Sequence, residues 1–259
     1  MKHALARMLS VAAVALLVTA VAGAQGMYME SSISGGPMGS DVHHAKSYLM
    51  PKMFKTETGG GETMIIRADK ELFYGINPSD KTYWVMTFAE LEEGMKRAKG
   101  KMDAKMSELQ EKMKDMPEAQ RKQMESMMAM MGGDKGDKKV EVTPTSEKKE
   151  ICGYSCTKNV VTSGGKELMT LWIAKGVKGF DALRKDWVAA SKKMLELNPM
   201  NGKEMMEVFS KLEGYPLESD IMGMTNVVTK LENRSTPASA FDVPAGYKQT
   251  DSPMKKGMD

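Results

Sequence analysis

Leu72-Phe-Tyr-Gly-Ile76, Asn77-Pro-Ser-Asp-Lys81 and Thr82-Tyr-Trp-Val-Met86 lie in unbroken succession. Two runs rich in aromatic and β-branched residues flank five residues that favour turns, which is the pattern of a β-hairpin. The same alternation extends outward on both sides. Upstream, Met27, Met29, Ser31 and Ile33 alternate with Tyr28, Glu30, Ser32 and Ser34 until Gly35-Gly-Pro37 breaks the run. A second run covers about Ala45 to Thr56, and Gly59-Gly-Gly61 separates it from Thr63-Met-Ile-Ile-Arg67. Residues 27 to 87 therefore read as an antiparallel meander.

After Thr87 the period changes to that of a helix. Thr87 and Glu90 form a capping box, and Phe88, Leu91, Met95, Ala98, Met102, Met106, Leu109 and Met113 fall on one stripe about 80° wide. A stripe that narrow predicts a seam against one partner surface. Asp115-Met-Pro-Glu118 reads as a stop and a new start, so a second helix is expected from about Met116 to Met131. Gly132-Gly-Asp-Lys-Gly-Asp-Lys-Lys139 is a polar linker, and residues 88 to 139 together form a helical insertion in the sheet.

Strand patterns then resume at Val140–Thr143, Ile151–Val161 and Glu167–Ala174. Phe180, Leu183, Trp187, Met194 and Leu197 recur at helical spacing, and a shorter helix is expected from about Gly202 to Leu212. Tyr215 to Glu232 reads as one long strand. The expectation is an α+β fold with roughly eight antiparallel strands and helices on one side.

The first 24 residues have the order of a secretory signal peptide: Lys2, His3 and Arg7, an apolar stretch from Leu9 to Val21, then Ala22-Gly-Ala24. Cleavage after Ala24 would leave a single domain from Gln25 to Asp259. No cysteine stands near that site to carry a lipid anchor, and no second apolar run reaches membrane length, so a soluble periplasmic or secreted product is expected, without stable membrane insertion. Of 37 Lys and Arg against 34 Asp and Glu, Lys2 and Arg7 lie in the leader. That balance argues against a nucleic-acid partner.

Few residues suggest chemistry. His43 and His44 are the only histidines beyond the leader, and no nucleophile-elbow or phosphate-loop motif occurs, so no enzyme, catalytic residue or cofactor is expected. Cys152 and Cys156 lie in a stretch that reads as a strand, where residues four apart are about 13 Å apart, beyond the reach of a disulfide. An oxidising compartment favours a bridge, which requires Gly153 to bend the chain; paired and free states both stay open.

The 28 methionines are the compositional anomaly. Those of the stripe either pack the helix on its neighbours or line an adaptable groove for an apolar ligand or partner helix. A rival reading takes Met124, Met127 and Met128, with His43 and His44, as soft donors to copper(I).

The C-terminal segments Gly214-Tyr-Pro-Leu-Glu218 and Ser239-Ala-Phe-Asp-Val-Pro-Ala-Gly-Tyr247 resemble the closing stretch of a bacterial family, domain of unknown function 4412. Ile151-Cys-Gly-Tyr-Ser-Cys156 followed by Trp172-Ile173 resembles its central hairpin, and Arg67 to Tyr83 its earlier strand pair. That family is similar to the lipoprotein-carrier (LolA-like) clan. The resemblance implies a curved, incomplete antiparallel barrel with covering helices and a hydrophobic cavity for a lipid or another apolar small molecule, and it brings no catalytic residue and no named protein partner. Phe88, Leu91, Met95, Met102, Met106, Leu109 and Met113 are then the candidate ligand-binding residues.

Overall fold

The computed structural model describes residues 26–36, 41–114, 117–118, 121, 139–196, 207–208, 211–221 and 223–252. The expected signal peptide (1–24), linker residues 132–138, most of the span expected as a second helix (116–131) and the candidate metal donors Met124, Met127 and Met128 lie outside them. Of the helix expected at 202–212, residues 207, 208, 211 and 212 are described, and the first three are helical.

In chain order the elements are β1 (Met27–Gly35), β2 (His43–Met50), β3 (Met53–Thr58), β4 (Thr63–Arg67), β5 (Leu72–Asn77), β6 (Thr82–Thr87) and α1 (Phe88–Lys114). There follow β7 (Val140–Ile151), β8 (Tyr154–Ser163), β9 (Lys166–Ala174), α2 (Phe180–Glu196), β10 (Tyr215–Ile221), β11 (Met224–Asn233), a 3-10 turn (Ala238–Phe241) and β12 (Lys248–Gln249). The strands form one sheet ordered β12-β6-β5-β4-β3-β2-β1-β11-β10-β9-β8-β7. Every pairing is antiparallel except β12 on β6.

Twelve strands in an open sheet replace the expected eight in an incomplete barrel. The added strands come mainly from turns inside runs that read as continuous. The run from Ala45 breaks at Pro51-Lys52, where Lys52 adopts a φ of 59°. The run from Tyr215 breaks after Ile221, where Asp220 Oδ1 accepts the Gly223 N–H at 3.1 Å and Oδ2 the Thr225 hydroxyl at 2.8 Å. Ile151–Val161 is likewise not one strand: Cys152 (φ 52°) and Gly153 (φ 77°) form a two-residue hairpin turn. Two consecutive positive φ values match the right-handed twist of the flanking strands, and glycine adopts the second without steric cost. The expected hairpin at 72–86 forms as read, with Asn77 Oδ1 accepting the Ser79 and Asp80 N–H groups at 3.0 and 3.3 Å.

The sheet is strongly coiled. Cys152, at the tip of the β7–β8 hairpin, places its Sγ 3.3 Å from the carbonyl oxygen of Val228 on β11. In a flat sheet β8 and β11 would lie about 14 Å apart, far more than a cysteine side chain spans. Only a sheet that curls back on itself brings them together.

Register and alternation sort the side chains into two faces. Met27, Leu49, Phe54, Ile66, Phe73 and Met86 are successive partners across β1 to β6 and share one face. Both helices cover that face: Phe180 and Leu183 of α2 join the cluster of Met27, Met29, Leu49 and Val228, while Leu91 of α1 joins Phe73 and Met86. The opposite face of β2 to β6 is covered by the C-terminal segment, whose Phe241 is fully buried among Met50, Ile65 and Ile76. β12 completes this strap by pairing with β6, and the Thr250 N–H donates to the Tyr83 carbonyl at 2.8 Å.

Candidate functional site: the helix-bearing face

Local chemistry sets where α1 starts. The Thr87 N–H donates to Glu90 Oε2 at 2.7 Å and the Glu90 N–H donates to Thr87 Oγ1 at 3.1 Å, the reciprocal bonds of the expected capping box. The Phe88 N–H donates to the Glu71 carbonyl at 3.0 Å, fixing the entry of the helix against the β4–β5 turn. Leu91 and Gly94 are buried and Met95 is half-buried, so the first two turns lie on the sheet.

Beyond them burial is uneven among the described residues. From Lys96 to Glu108 every described side chain is exposed, Ala98 included, and burial returns only at Leu109 (half-buried) and Met113 (5 % exposed). Ion pairs support the helix along this length: Glu92–Lys96 at 2.8 Å, Glu93–Arg97 at 2.6 Å and Glu108–Lys112 at 2.7 Å, each with the acid four residues before the base. Of the seven candidate ligand-binding residues, Phe88, Leu91 and Met95 are therefore brought together on the sheet. Leu109 and Met113 lie at the far end of the helix, and the side chains of Met102 and Met106 are outside the described residues.

The floor beneath α1 comes from strand residues that the helical stripe did not reveal. Met64 and Ile66 of β4 and Trp84 of β6 are half-buried and pack with Phe73, Met86 and Leu91. Phe54 of β3 continues the same face toward the core under α2. Their signal was present in the period-two alternation. What the sequence lacked was the pairing register that lines them up.

Trp84 lies flat on Gly75, its partner on β5, with the rings of Phe73 and Trp84 5.6 Å apart. A Cβ at position 75 would sit 2.2 Å from two carbons of the indole ring. Gly75→Ala is therefore expected to displace Trp84 and to cost about 2 kcal/mol. Urea unfolding followed by tryptophan fluorescence checks this, with a changed native-state emission as the local sign; an unchanged spectrum and midpoint would refute the packing described.

Among the described residues, the remaining candidates are not assembled into one site. His43 and His44 are exposed neighbours on β2, and strand alternation sends them to opposite faces. Cys152 and Cys156 are free thiols; Cys152 donates to the Val228 carbonyl and Cys156 to the Tyr154 carbonyl at 3.5 Å. Burial pushes both thiols above their ordinary pKa, which keeps them protonated near neutrality.

The profile of the family described as Domain of unknown function (DUF4412) matches residues 94–247. The chain belongs to this family. The matched range runs from within α1 through the β7–β8 hairpin to Tyr247, and the earlier strand pair at Arg67–Tyr83 lies outside it. No curated protein matches. Among solved structures, this DUF4412 chain is similar to PNGF-II at 11% identity and a TM-score of 0.39, covering 91% of this chain and 32% of that one. The chain thus spans about a third of the length of PNGF-II. It is also similar to the LolA superfamily protein NE2245 from Nitrosomonas europaea, at 6% identity and a TM-score of 0.29, covering 84% of this chain and 89% of that one. No helix among the described residues is long and apolar enough to cross a membrane.

Proposed function

We propose that this DUF4412 protein is an exported, non-catalytic binding or carrier protein for an apolar ligand, a lipid or acyl-like chain held between the coiled sheet and the start of α1. One observation carries the reading: on the helix-bearing face Met64, Ile66, Trp84, Phe88 and Met95 pack against the cluster under α1 and Phe54, the register partner of Ile66, against the cluster under α2, and each remains half-buried, not sealed. A surface of this kind gains from being covered. The unbranched side chains of Met64 and Met95 adapt to irregular occupants at little cost. The leader at residues 1–24 would deliver the protein to the periplasm or beyond.

Magnitudes make the proposal concrete. Burying about twelve methylenes is worth about 10 kcal/mol gross, and immobilising the ligand costs at least about 4. The difference corresponds to a dissociation constant of tens of micromolar for a single chain.

Native mass spectrometry of protein recovered from its own compartment is expected to show a co-purified lipid and an N-terminus at Gln25. Met64→Asp, which puts a charge on the floor, is expected to weaken binding of a fluorescent acyl probe at least about tenfold. Protein that retains the leader, carries no lipid and ignores such probes would rule the proposal out.

A further inference from the structure

The two faces of the sheet differ in charge more sharply than in hydrophobicity. Along β11 and β1 to β6, the register places every Lys, Arg, Asp and Glu of these strands on the face away from the helices, among them Glu30, Lys46, Lys55, Glu57, Arg67 and Lys230. Several are held there by contacts of their own: Lys55 pairs with Glu57 at 2.8 Å, Arg67 with Asp242 at 2.6 Å, and the Arg234 guanidinium lies 4.1 Å from the centre of the Tyr28 ring. The helix-bearing face of the same strands carries none of these four residue types.

Its polar groups are hydroxyls and amides, with the exposed His43 at the outer end of β2. Between the apolar patches under α1 and α2, Ser47 of β2 and Thr56 of β3 face each other with their hydroxyl oxygens 3.2 Å apart. On β11 the buried Asn226 Oδ1 has no hydrogen-bond partner. The helices add Phe88, Leu91, Met95, Phe180, Leu183 and Trp187 to this face. Charges close to it are engaged with other groups: half-buried Glu92 pairs with Lys96, Arg184 of α2 donates to the Leu212 carbonyl, and Lys149, over the Trp172 ring, pairs with Glu218 at 2.6 Å.

We infer that the ligand of this face is uncharged where it meets the sheet: an esterified or otherwise neutral acyl lipid, met by hydroxyl and amide groups, and not a free fatty-acid carboxylate or a phosphate headgroup. The inference rests on the carrier reading above. Its physical basis is that a carboxylate placed on this floor would lose hydration and find no cation to replace it, whereas an ester carbonyl needs only one hydroxyl donor. Ser47 and Thr56 are positioned to supply that donor at the junction of the two apolar patches.

The test compares an anthroyloxy-labelled palmitate methyl ester with the corresponding free acid, titrated at pH 8 into the full processed chain. The ester is expected to bind at least about tenfold more tightly than the acid. Equal or tighter binding of the acid overturns this inference and leaves the carrier reading intact. Binding of neither probe overturns both. Thr56→Lys, with its fold checked by circular dichroism, supplies the missing cation and is expected to raise affinity for the acid about tenfold and so to shrink or reverse the preference for the ester. A folded Thr56→Lys protein with no gain for the acid overturns the placement of the ligand on this face. If that variant does not fold, the ratio of ester to acid binding in the unaltered chain decides.

Discussion

Replacing Phe180 with alanine is expected to lower stability by about 4 kcal/mol, within the range for large-to-small changes at buried aromatic positions. Phe180 is 2 % exposed and opens α2. Its ring meets Tyr215 of β10 edge-on, with centroids 4.6 Å apart, and Trp187 of its own helix at 5.8 Å. Such tilted aromatic pairs add about 1 kcal/mol beyond the area they bury. It shares its buried cluster with Met27, Met29 and Leu49 of β1 and β2, so this cluster joins strands distant in sequence to a helix that follows β9. Tyr215 is itself buried, which raises its phenol pKa and keeps it neutral, so it acts here as an apolar neighbour. Urea unfolding read by circular dichroism measures the loss. A change below about 1 kcal/mol would mean that α2 is not docked as described.

Arg67→Ala is expected to cost about 2 to 3 kcal/mol, below the upper range for a broken buried ion pair because both acidic partners retain contact with water. The Arg67 side chain is 6 % exposed; it donates to both oxygens of Asp69, at 2.9 and 2.7 Å, and to Asp242 at 2.6 Å. Asp242 directly follows the 3-10 turn, so this contact ties the C-terminal strap to β4. The pH dependence has a definite sign. Hydrogen bonds from Arg67 are the largest influence holding the Asp69 carboxyl below the usual carboxylate range. A group whose pKa is depressed in the folded state stabilises the fold above its unfolded value, about 3.9, and loses that contribution as pH falls through the folded value. The gap in stability between the native chain and Arg67→Ala is therefore expected to be full at pH 7 and to narrow below about pH 4. A gap that is unchanged down to pH 2 would show that Arg67 acts through packing alone.

Much of this molecule was legible residue by residue. The Asn77–Lys81 turn, the Thr87/Glu90 box, the start of α2 at Phe180 and the closing Phe241 are local signals, because each depends on bonds among neighbours or on one strongly apolar side chain. The runs read as single strands failed where a turn used residues that do not announce one. Cys152 and Lys52 take positive φ, an uncommon backbone state for residues other than glycine. Nothing in an alternating pattern distinguishes a strand of twelve residues from two of six that reverse between them.

The candidate site divides in the same way. Helical periodicity identified Phe88, Leu91 and Met95, since the capping box sets the phase of the first turns. Beyond Lys96 spacing alone cannot say where a surface receives the stripe: Ala98 is exposed, whereas Leu109 is half-buried and Met113 buried. Phe54, Met64, Ile66 and Trp84 became a floor only through the order of strands.

By itself the sequence determined the alternation of β and α segments, the caps and several of the turns, because these follow from interactions within a few residues. The tertiary structure alone decided that β6 and β7, on either side of the α1 segment, lie toward opposite ends of one coiled sheet, and that α1 and α2 share a face. It also decided that the charges of β11 and β1 to β6 lie on the other side. Those outcomes depend on strand register, where a slip of one residue would exchange the two faces, and register is settled by burial summed over the whole sheet.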